Sequence, residues 1–239
     1  MSKMKWNSVR VSIEVKTGTE QLAPFSGSNS EESRGTRRQL AEYVAKVNIS
    51  QNRTSTLAVT IHKRQAYFTR WDPAGVLIAE SFDYTEEPEK LFLFAYRVGQ
   101  MNDAQLGYDP TLQRVEETDA DVQAMRALRP ELSHHRKYFT EAFPKSGQHP
   151  IHRLEMKDKD GKEHRFLIGR AQRASQSAFG RGTKGYVVYD VEAKALRYLK
   201  DYWRLDARIT LPSTTHLLYS VDVKLKLRFR RRPQICELV

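Results

Sequence analysis

The alternation of apolar and polar residues predicts an α/β unit in the first hundred residues. Apolar residues at every second position predict a strand over Trp6–Val15. Helical spacing of apolar residues predicts a helix over Thr36–Val47, after a Gly-, Ser- and Asn-rich stretch, Thr17–Gly35, that is expected to be a mobile loop. Three strands and a second helix follow: Thr56–His62, Gln65–Trp71, Val76–Phe82 and Pro88–Val98. This order of elements is typical of an α/β domain.

The second half of the chain has a weaker pattern up to residue 150 and a clear strand pattern after it. Leu106–Gln113 is predicted to be an ordered loop and Asp119–Leu128 a short helix. The remaining predicted strands are Ile151–Met156 and His164–Ile168, joined by the turn at Asp160-Gly161, then Tyr186–Tyr189 and Ala195–Trp203. We therefore divide the chain into an α/β domain (1–115), a linker with a short helix (116–150), a strand unit (151–205) and a basic tail (206–239).

Composition narrows the class of protein. No apolar run is long enough to span a bilayer, and the N-terminus lacks the apolar region of a secretory signal. The single cysteine, Cys236, excludes an intramolecular disulfide and suits a reducing compartment. The histidines lack metal-ligand spacing and companion cysteines, so no metal site is predicted. We expect an intracellular protein, cytoplasmic or nuclear, that makes no contact with a membrane.

The positive charge is concentrated near the C-terminus. The net charge is +11, and Lys224–Arg232 carries six positive charges in nine residues. Three interpretations stay open: a solvated or disordered terminus, a patch that binds nucleic acid or a nuclear-import receptor, and a tail produced by truncation of a longer protein.

The glycine-rich run Gly180–Val187 matches the pattern G-x-G-x-x-G-x-V in full. Glycine lets backbone N–H groups approach phosphate oxygens closely. A dinucleotide-binding loop has nearly the same spacing, but a helix begins at its last glycine. Here the next residues form a strand, and Lys200 lies on the strand after that, which favours a kinase-type nucleotide loop. A dinucleotide site with Asp201 as the ribose ligand and a glycine hairpin without a ligand stay open.

A second constellation lies near the N-terminus. Glu14 and Lys16 point to the same side of a strand, and Gln39 and Tyr43 lie one turn apart on the following helix. The first pair matches the E-x-K half of the metal-nuclease signature PD-(D/E)xK, in which the carboxylate binds the metal ion and the lysine activates water. Residues 1–13 contain no Asp or Glu to complete such a site, so a degenerate, inactive nuclease-like site is predicted. An ordinary charged strand face is the alternative.

In chain order, six segments make the chain similar to the fungal-type protein kinase family. They are WNSVRVSIEVK, RGTRRQLAEYVAKV, FTRWDPAGVLIAESFDY, LGYDPTL, FGRGTKGYVVYD and YLKDYWR, and they extend from Trp6 to Trp203. The resemblance implies an α/β fold class overall: a restriction-endonuclease-like N-terminal domain, followed by the first strands of a kinase small lobe at 151–205.

The same resemblance implies the cofactors, partner and site residues. ATP and Mg²⁺ would be the cofactors and a protein the substrate. Lys200 would contact the α- and β-phosphates. The loop residues that would cover the nucleotide are Gly180, Gly182, Gly185 and Val187.

The chain departs from the family where catalysis would take place. Residues 1–239 contain no H-R-D-x-x-x-x-N segment and no D-F-G segment, which supply the catalytic aspartate and the metal ligands of a kinase. We therefore expect a truncated family member that binds no cofactor tightly and does not catalyse phosphoryl transfer. The alternative is a basic nucleic-acid-binding module that contains a degenerate nuclease-like domain.

Overall fold

The protein has a mixed α+β fold built on two sheets. The computed structural model describes residues 5–18, 24–25, 30–145, 149–157, 161–205 and 229–237, and only the backbone of 204–205 and 229–237. Within these residues, eleven strands form a five-stranded and a six-stranded sheet, accompanied by four α-helices. No helix in this part of the chain is long and apolar enough to cross a membrane.

The five-stranded sheet, called here the first sheet, contains a parallel pair joined by a helix. Its neighbouring strands run in the order β1-β2-β3-β4, with β5 paired to β3, and β1 is parallel to β2. The elements, after a 3₁₀ turn at Trp6–Ser8, are β1 (Ser12–Lys16), α1 (Glu31–Ser50), β2 (Thr56–His62), β3 (Gln65–Asp72), β4 (Gly75–Ile78), β5 (Phe82–Asp83) and α2 (Pro88–Gln100).

Helix α1 covers one face of the first sheet and α2 contacts the other. Leu40 and Val44 of α1 are buried with Ala58 and Trp71 in one apolar cluster. On the opposite face, the ring of Phe94 stacks on Phe68, with 4.5 Å between centroids. Few side chains of α2 are covered, and Phe92 is 75% exposed.

Helix α1 begins earlier than the sequence pattern indicates. The hydroxyl of Ser30 accepts a hydrogen bond from the backbone N–H of Ser33, which caps the helix. Glu31 and Glu32 follow in the first turn, where carboxylates favour the helix dipole. Residues 31–35 are therefore helical, and the prediction of a loop up to Gly35 was wrong there. Residues 19–23 and 26–29 of the predicted loop lie outside the described residues.

Strand β1 is shorter than predicted, and its apolar face is exposed. The segment Trp6–Ser8 is a 3₁₀ turn, and the strand itself covers only Ser12–Lys16. Ile13 and Val15 are 63% and 59% exposed, whereas Glu14 and Lys16 point towards α1. The alternation is present, but at this edge of the sheet the apolar side chains are not covered by α2.

The six-stranded sheet, called here the second sheet, is antiparallel throughout and has the order β11-β10-β9-β8-β7-β6. Helices α3 and α4 cover one of its faces, where Met125 and Phe143 pack with Leu167 and Val187. Its elements are β6 (Leu112–Val115), α3 (Ala120–Ala127), α4 (Ser133–Ala142), β7 (Ile151–Lys157), β8 (Glu163–Ala174), β9 (Lys184–Asp190), β10 (Ala195–Leu205) and β11 (Phe229–Glu237).

Three parts of the second sheet differ from the predictions. Strand β6 and helix α4 occur where a loop and a linker were expected, because both are short and are stabilised by packing rather than by their own periodicity. Residues 229–237 of the tail pair with β10, so this part is neither a solvated nor a disordered terminus. Pro233 is tolerated there because β11 lies at the edge of the sheet. Residues 224–228 of the basic run lie outside the described residues.

Candidate functional site

The glycine loop connects β8 to β9, and each of its three glycines has a structural reason. Gly180 and Gly182 have positive φ angles of 86° and 47°, which other residues adopt only at a cost. At Gly185 the constraint is space, because a Cβ atom there would lie 2.0 Å from the hydroxyl oxygen of Tyr198. The three glycines are therefore accounted for by the fold itself.

The segment that enters the loop is docked on the first sheet. Ala178 is 7% exposed and belongs to the apolar cluster of Leu40 and Trp71. The ring of Phe179 stacks on Trp71, with 5.5 Å between centroids and 22° between planes. The backbone N–H of Gly180 donates to the carbonyl oxygen of Pro73 at 2.9 Å. Three consecutive residues thus bind the loop to the strand β3 and the turn after it.

The rest of the loop is held by the second sheet and by the segment after α1. The backbone N–H of Trp203 donates to the carbonyl of Arg181 at 2.8 Å. The Lys184 ammonium donates to the carbonyl of Gln51 at 2.9 Å, and the Tyr186 hydroxyl donates to Oδ1 of Asn52 at 2.8 Å. One face of the second sheet therefore contacts the first half of the chain through strand β9.

Lys200 lies beside the loop but on the other face of the second sheet. It is paired with Gly185 across the β9–β10 ladder. Side chains alternate along a strand, so Lys200 shares the face of Tyr198, opposite Leu199 and Trp203. Its side chain is exposed, and its ammonium lies 5.7 Å from the ring centroid of Tyr202.

Val187, the fourth loop residue named from the sequence pattern, is a core residue in this structure. It is 2% exposed and packs under α3 and α4. The fold thus brings Gly185 and Lys200 together, places Gly180 against the first sheet, and buries Val187.

The four residues of the nuclease-like pattern form one connected group. The Lys16 ammonium lies 2.9 Å from a Glu14 carboxylate oxygen and donates to Oε1 of Gln39 at 2.7 Å. Nε2 of Gln39 donates to the hydroxyl oxygen of Tyr43 at 2.6 Å. The parallel β1–α1–β2 connection makes this possible, because it lays α1 across the face that Glu14 and Lys16 share.

An aromatic and cationic cluster extends this group. The rings of Trp6 and Tyr43 lie 5.7 Å apart, and the Lys46 ammonium is 5.4 Å and 5.8 Å from their centroids. No group of three His, Cys, Asp or Glu residues that could bind a metal ion occurs in the part of the chain that the structure describes. The arrangement offers cationic and aromatic contacts, with Glu14 as the carboxylate of the group.

A cleft lies elsewhere, between the two halves of the chain. It has a volume of about 610 Å³, and its lining includes Asn52, Tyr108, His152 and Tyr186, but neither Lys200 nor the loop glycines. Burial, together with the nearby positive charge of Arg114, lowers the pKa of His152 to about 4. Nothing in the spacing of the histidines points to this cleft, because it forms only when β7 packs against the segment after α1.

A buried arginine, Arg53, connects the segment LGYDPTL to the residues before β1 by hydrogen bonds. Arg53 is 7% exposed and donates to the carbonyl oxygens of Leu106 at 2.6 Å and Val9 at 3.0 Å. Its guanidinium also stacks on Tyr108, 4.2 Å from the ring centroid. Gly107 has a φ of 88°, and a Cβ there would lie 2.1 Å from the carbonyl oxygen of Ser55. This segment therefore has a structural role.

Comparisons with known proteins add one finding. A family model described as fungal protein kinase matches residues 1–217. Neither the curated proteins nor the solved structures contain a significant match to the chain. The matched region includes the connected group on β1 and α1, the glycine loop and Lys200. Because the match covers most of the 239 residues, the chain belongs to the fungal protein kinase family.

Proposed function

We propose that this chain supplies the nucleotide-phosphate-binding part of a protein kinase site, with ATP and Mg²⁺ as the ligands and a protein as the eventual phosphate acceptor. The observation that supports it is the order of elements: strand β8, the glycine loop, strand β9 and then strand β10, which carries Lys200. In this arrangement Lys200 is paired directly with Gly185. In kinases this arrangement covers the phosphates with backbone N–H groups and places an ammonium beside them.

The finer fold assignment belongs to the same proposal. The second sheet would correspond to the start of a kinase small lobe. The first sheet would be restriction-endonuclease-like, and the parallel β1–α1–β2 connection with Glu14, Lys16 and Gln39 in contact supports that assignment. The protein would act in the cytoplasm or nucleus.

The chain alone is not expected to transfer phosphate. Phosphoryl transfer requires a catalytic aspartate and metal-binding side chains at fixed positions. The catalytic segment H-R-D-x-x-x-x-N and the metal-binding segment D-F-G are both absent from residues 1–239. The proposed role is therefore nucleotide binding.

Calorimetric titration with ADP and ATP in the presence of Mg²⁺ tests this role. The variant Lys200→Met should weaken binding about 10- to 100-fold, since a hydrogen bond to a charged group contributes about 1.5–3 kcal/mol. Lys194→Met is the matched control. It lies in the turn before β10, about 20 Å along the chain from Lys200 at 3.3 Å per strand residue, and should bind as the wild type does.

Two results would contradict the proposal. One is the absence of nucleotide binding by the wild-type protein, and the other is binding that Lys200→Met leaves unchanged. Phosphotransfer to a generic protein substrate, measured with labelled ATP, should stay at background. Turnover that disappears in Lys200→Met would refute the statement that the chain is not catalytic by itself.

Nucleic-acid binding is a second candidate function. The observation that favours it is the cluster of Trp6, Tyr43 and Lys46 beside Lys16, in which both rings are partly exposed. Accessible aromatic rings next to ammonium groups bind single-stranded bases by stacking and charge. The basic run Lys224–Arg232 would add further phosphate contacts.

Fluorescence anisotropy with labelled single-stranded and duplex oligonucleotides tests this candidate. Affinity should fall steeply between 50 and 200 mM salt, because counterions are released when phosphates are neutralised. Trp6→Ala should weaken binding to the single strand by about 1–3 kcal/mol. Binding that is absent, or that does not change with salt, would exclude this function.

A further inference from the structure

The segment that enters the glycine loop makes its contacts on the side of the molecule away from Lys200, whereas Gly185 lies against Tyr198 on the face that Lys200 shares. Ala178, Phe179 and Gly180 contact the first sheet, and strand β9 contacts the segment after α1 on the same side. Lys200 leaves the second sheet on the opposite face. A phosphate bound to Lys200 would therefore lie beside a loop whose entering segment is already bound to the first sheet.

One of the loop N–H groups is already used. The Gly180 N–H donates to the Pro73 carbonyl, so it cannot donate to a phosphate oxygen while the loop is docked. The contact is also partly apolar, because Ala178 fills a place in the cluster around Trp71 and the Phe179 ring covers the Trp71 ring. Nucleotide binding by the first glycine requires this contact to break.

We propose that the first sheet is an autoinhibitory element that holds the glycine loop in a state with low nucleotide affinity. This inference rests on the proposed nucleotide-binding function and adds its regulation. When a ligand binds only a minor state, its apparent affinity is reduced by the population of that state. Weakening the docking contact should therefore tighten nucleotide binding.

The main test is the variant Phe179→Ala, with ADP and Mg²⁺ as the probe in calorimetry. A stacked aromatic pair strengthens an association by about two- to tenfold, so ADP should bind tighter by about that factor. The Phe179 side chain is 38% exposed, so its loss leaves the core in place. Phe92→Ala is the matched control, because Phe92 is 75% exposed on α2, the helix that contacts the first sheet on the face opposite Trp71.

A second variant and a second measurement test the same contact at Trp71, the partner of Phe179. Trp71→Phe reduces the stacking surface without changing the loop and should also tighten ADP binding, which decides the matter if Phe179→Ala does not fold. In the wild type, the indole N–H of Trp71 donates to Thr69 and is buried, which gives it a distinct NMR resonance. Addition of ADP should move this resonance towards its position in Phe179→Ala.

The possible results separate this inference from the function on which it rests. Tighter ADP binding by Phe179→Ala, with a shift of the Trp71 resonance on ADP addition, supports autoinhibition. ADP binding that depends on Lys200 but is unchanged or weaker in Phe179→Ala leaves the proposed function standing and overturns the inference. If no variant binds ADP, the proposed function and the inference both fail.

Discussion

Gly185 provides a test of whether the glycines of the loop are required by the fold or only by a ligand. A Cβ atom at this position would lie 2.0 Å from Oη, 2.8 Å from Cζ and 3.5 Å from Cε2 of Tyr198. The ring must therefore move by more than 1 Å to accept Gly185→Ala, and Gly185 itself is buried. Inserting a methyl group into a packed site costs about 1–3 kcal/mol.

A smaller effect opposes this cost. Alanine restricts the unfolded chain and stabilises a protein by about 0.4–1 kcal/mol where its backbone angles fit. Gly185 does not have a positive φ, so an alanine backbone is compatible with the strand. We expect a net loss of about 1–2 kcal/mol in the free energy of unfolding, measured by urea denaturation with far-UV circular dichroism and tryptophan fluorescence as two independent probes.

The contact with Tyr198 can be isolated by a double-mutant cycle. In the background Tyr198→Leu, the atoms nearest the new methyl group are absent, so Gly185→Ala should become neutral or slightly stabilising. Gly75→Ala is the matched control, since no atom lies within 4 Å of a Cβ at that strand glycine. Equal destabilisation by Gly185→Ala in both backgrounds, within about 0.5 kcal/mol, would refute the packing argument.

Three further predictions concern stability. Arg53→Leu leaves the buried carbonyl oxygen of Leu106 without this donor and removes one of the two donors to the carbonyl of Val9, which keeps Gln51. It should lower the free energy of unfolding by about 3 kcal/mol in urea denaturation; a loss below 1 kcal/mol would contradict this. The pKa of His152 is about 4 in the folded protein against 6.5 for an ordinary histidine, so the unfolded chain takes up the proton first as the pH falls. The free energy of unfolding should therefore have its full value above pH 6.5 and fall by about 3 kcal/mol towards pH 4. His152→Gln should flatten this pH profile, and an unchanged profile would refute the role of His152. A hydrogen bond from Arg153 lowers the pKa of Asp119 below 3.8, so the wild type should be more stable than Asp119→Asn above that pH, and the difference should shrink at lower pH; a constant difference would exclude the ion pair as its cause.

Much of the fold could be predicted from periodicity. The strand Thr56–His62 has the predicted bounds, and β3 and α2 end within two residues of the predicted ends. The predicted strand Val76–Phe82 is instead divided into β4, which ends at Ile78, and β5, which begins at Phe82. These elements have a strong repeat and clear turn residues at Asp72–Gly75. Strand β6 and helix α4 were missed because each is short and depends on its partners, as when β6 pairs with β7.

The connected group on β1 and α1 could also be proposed from spacing. Residues two apart on a strand and four apart on a helix share a face whatever the rest of the fold does. The sequence could not indicate that Lys16 donates to Gln39 across 23 residues, because that contact depends on how α1 crosses the sheet. Nor could it indicate that Ile13 and Val15 stay exposed, which follows from the edge position of β1.

For the glycine loop, the sequence by itself determined the local conformations. The loop needs glycine at positions 180 and 182 for positive φ, and the strand after it, β9, follows from Val and Tyr. Only the tertiary structure decided the direction in which the loop turns and what each glycine contacts. Phe179 meets Trp71 and Gly185 meets Tyr198 because two sheets pack together and two strands pair in one register. Such contacts depend on distances between residues remote along the chain, which local periodicity does not encode.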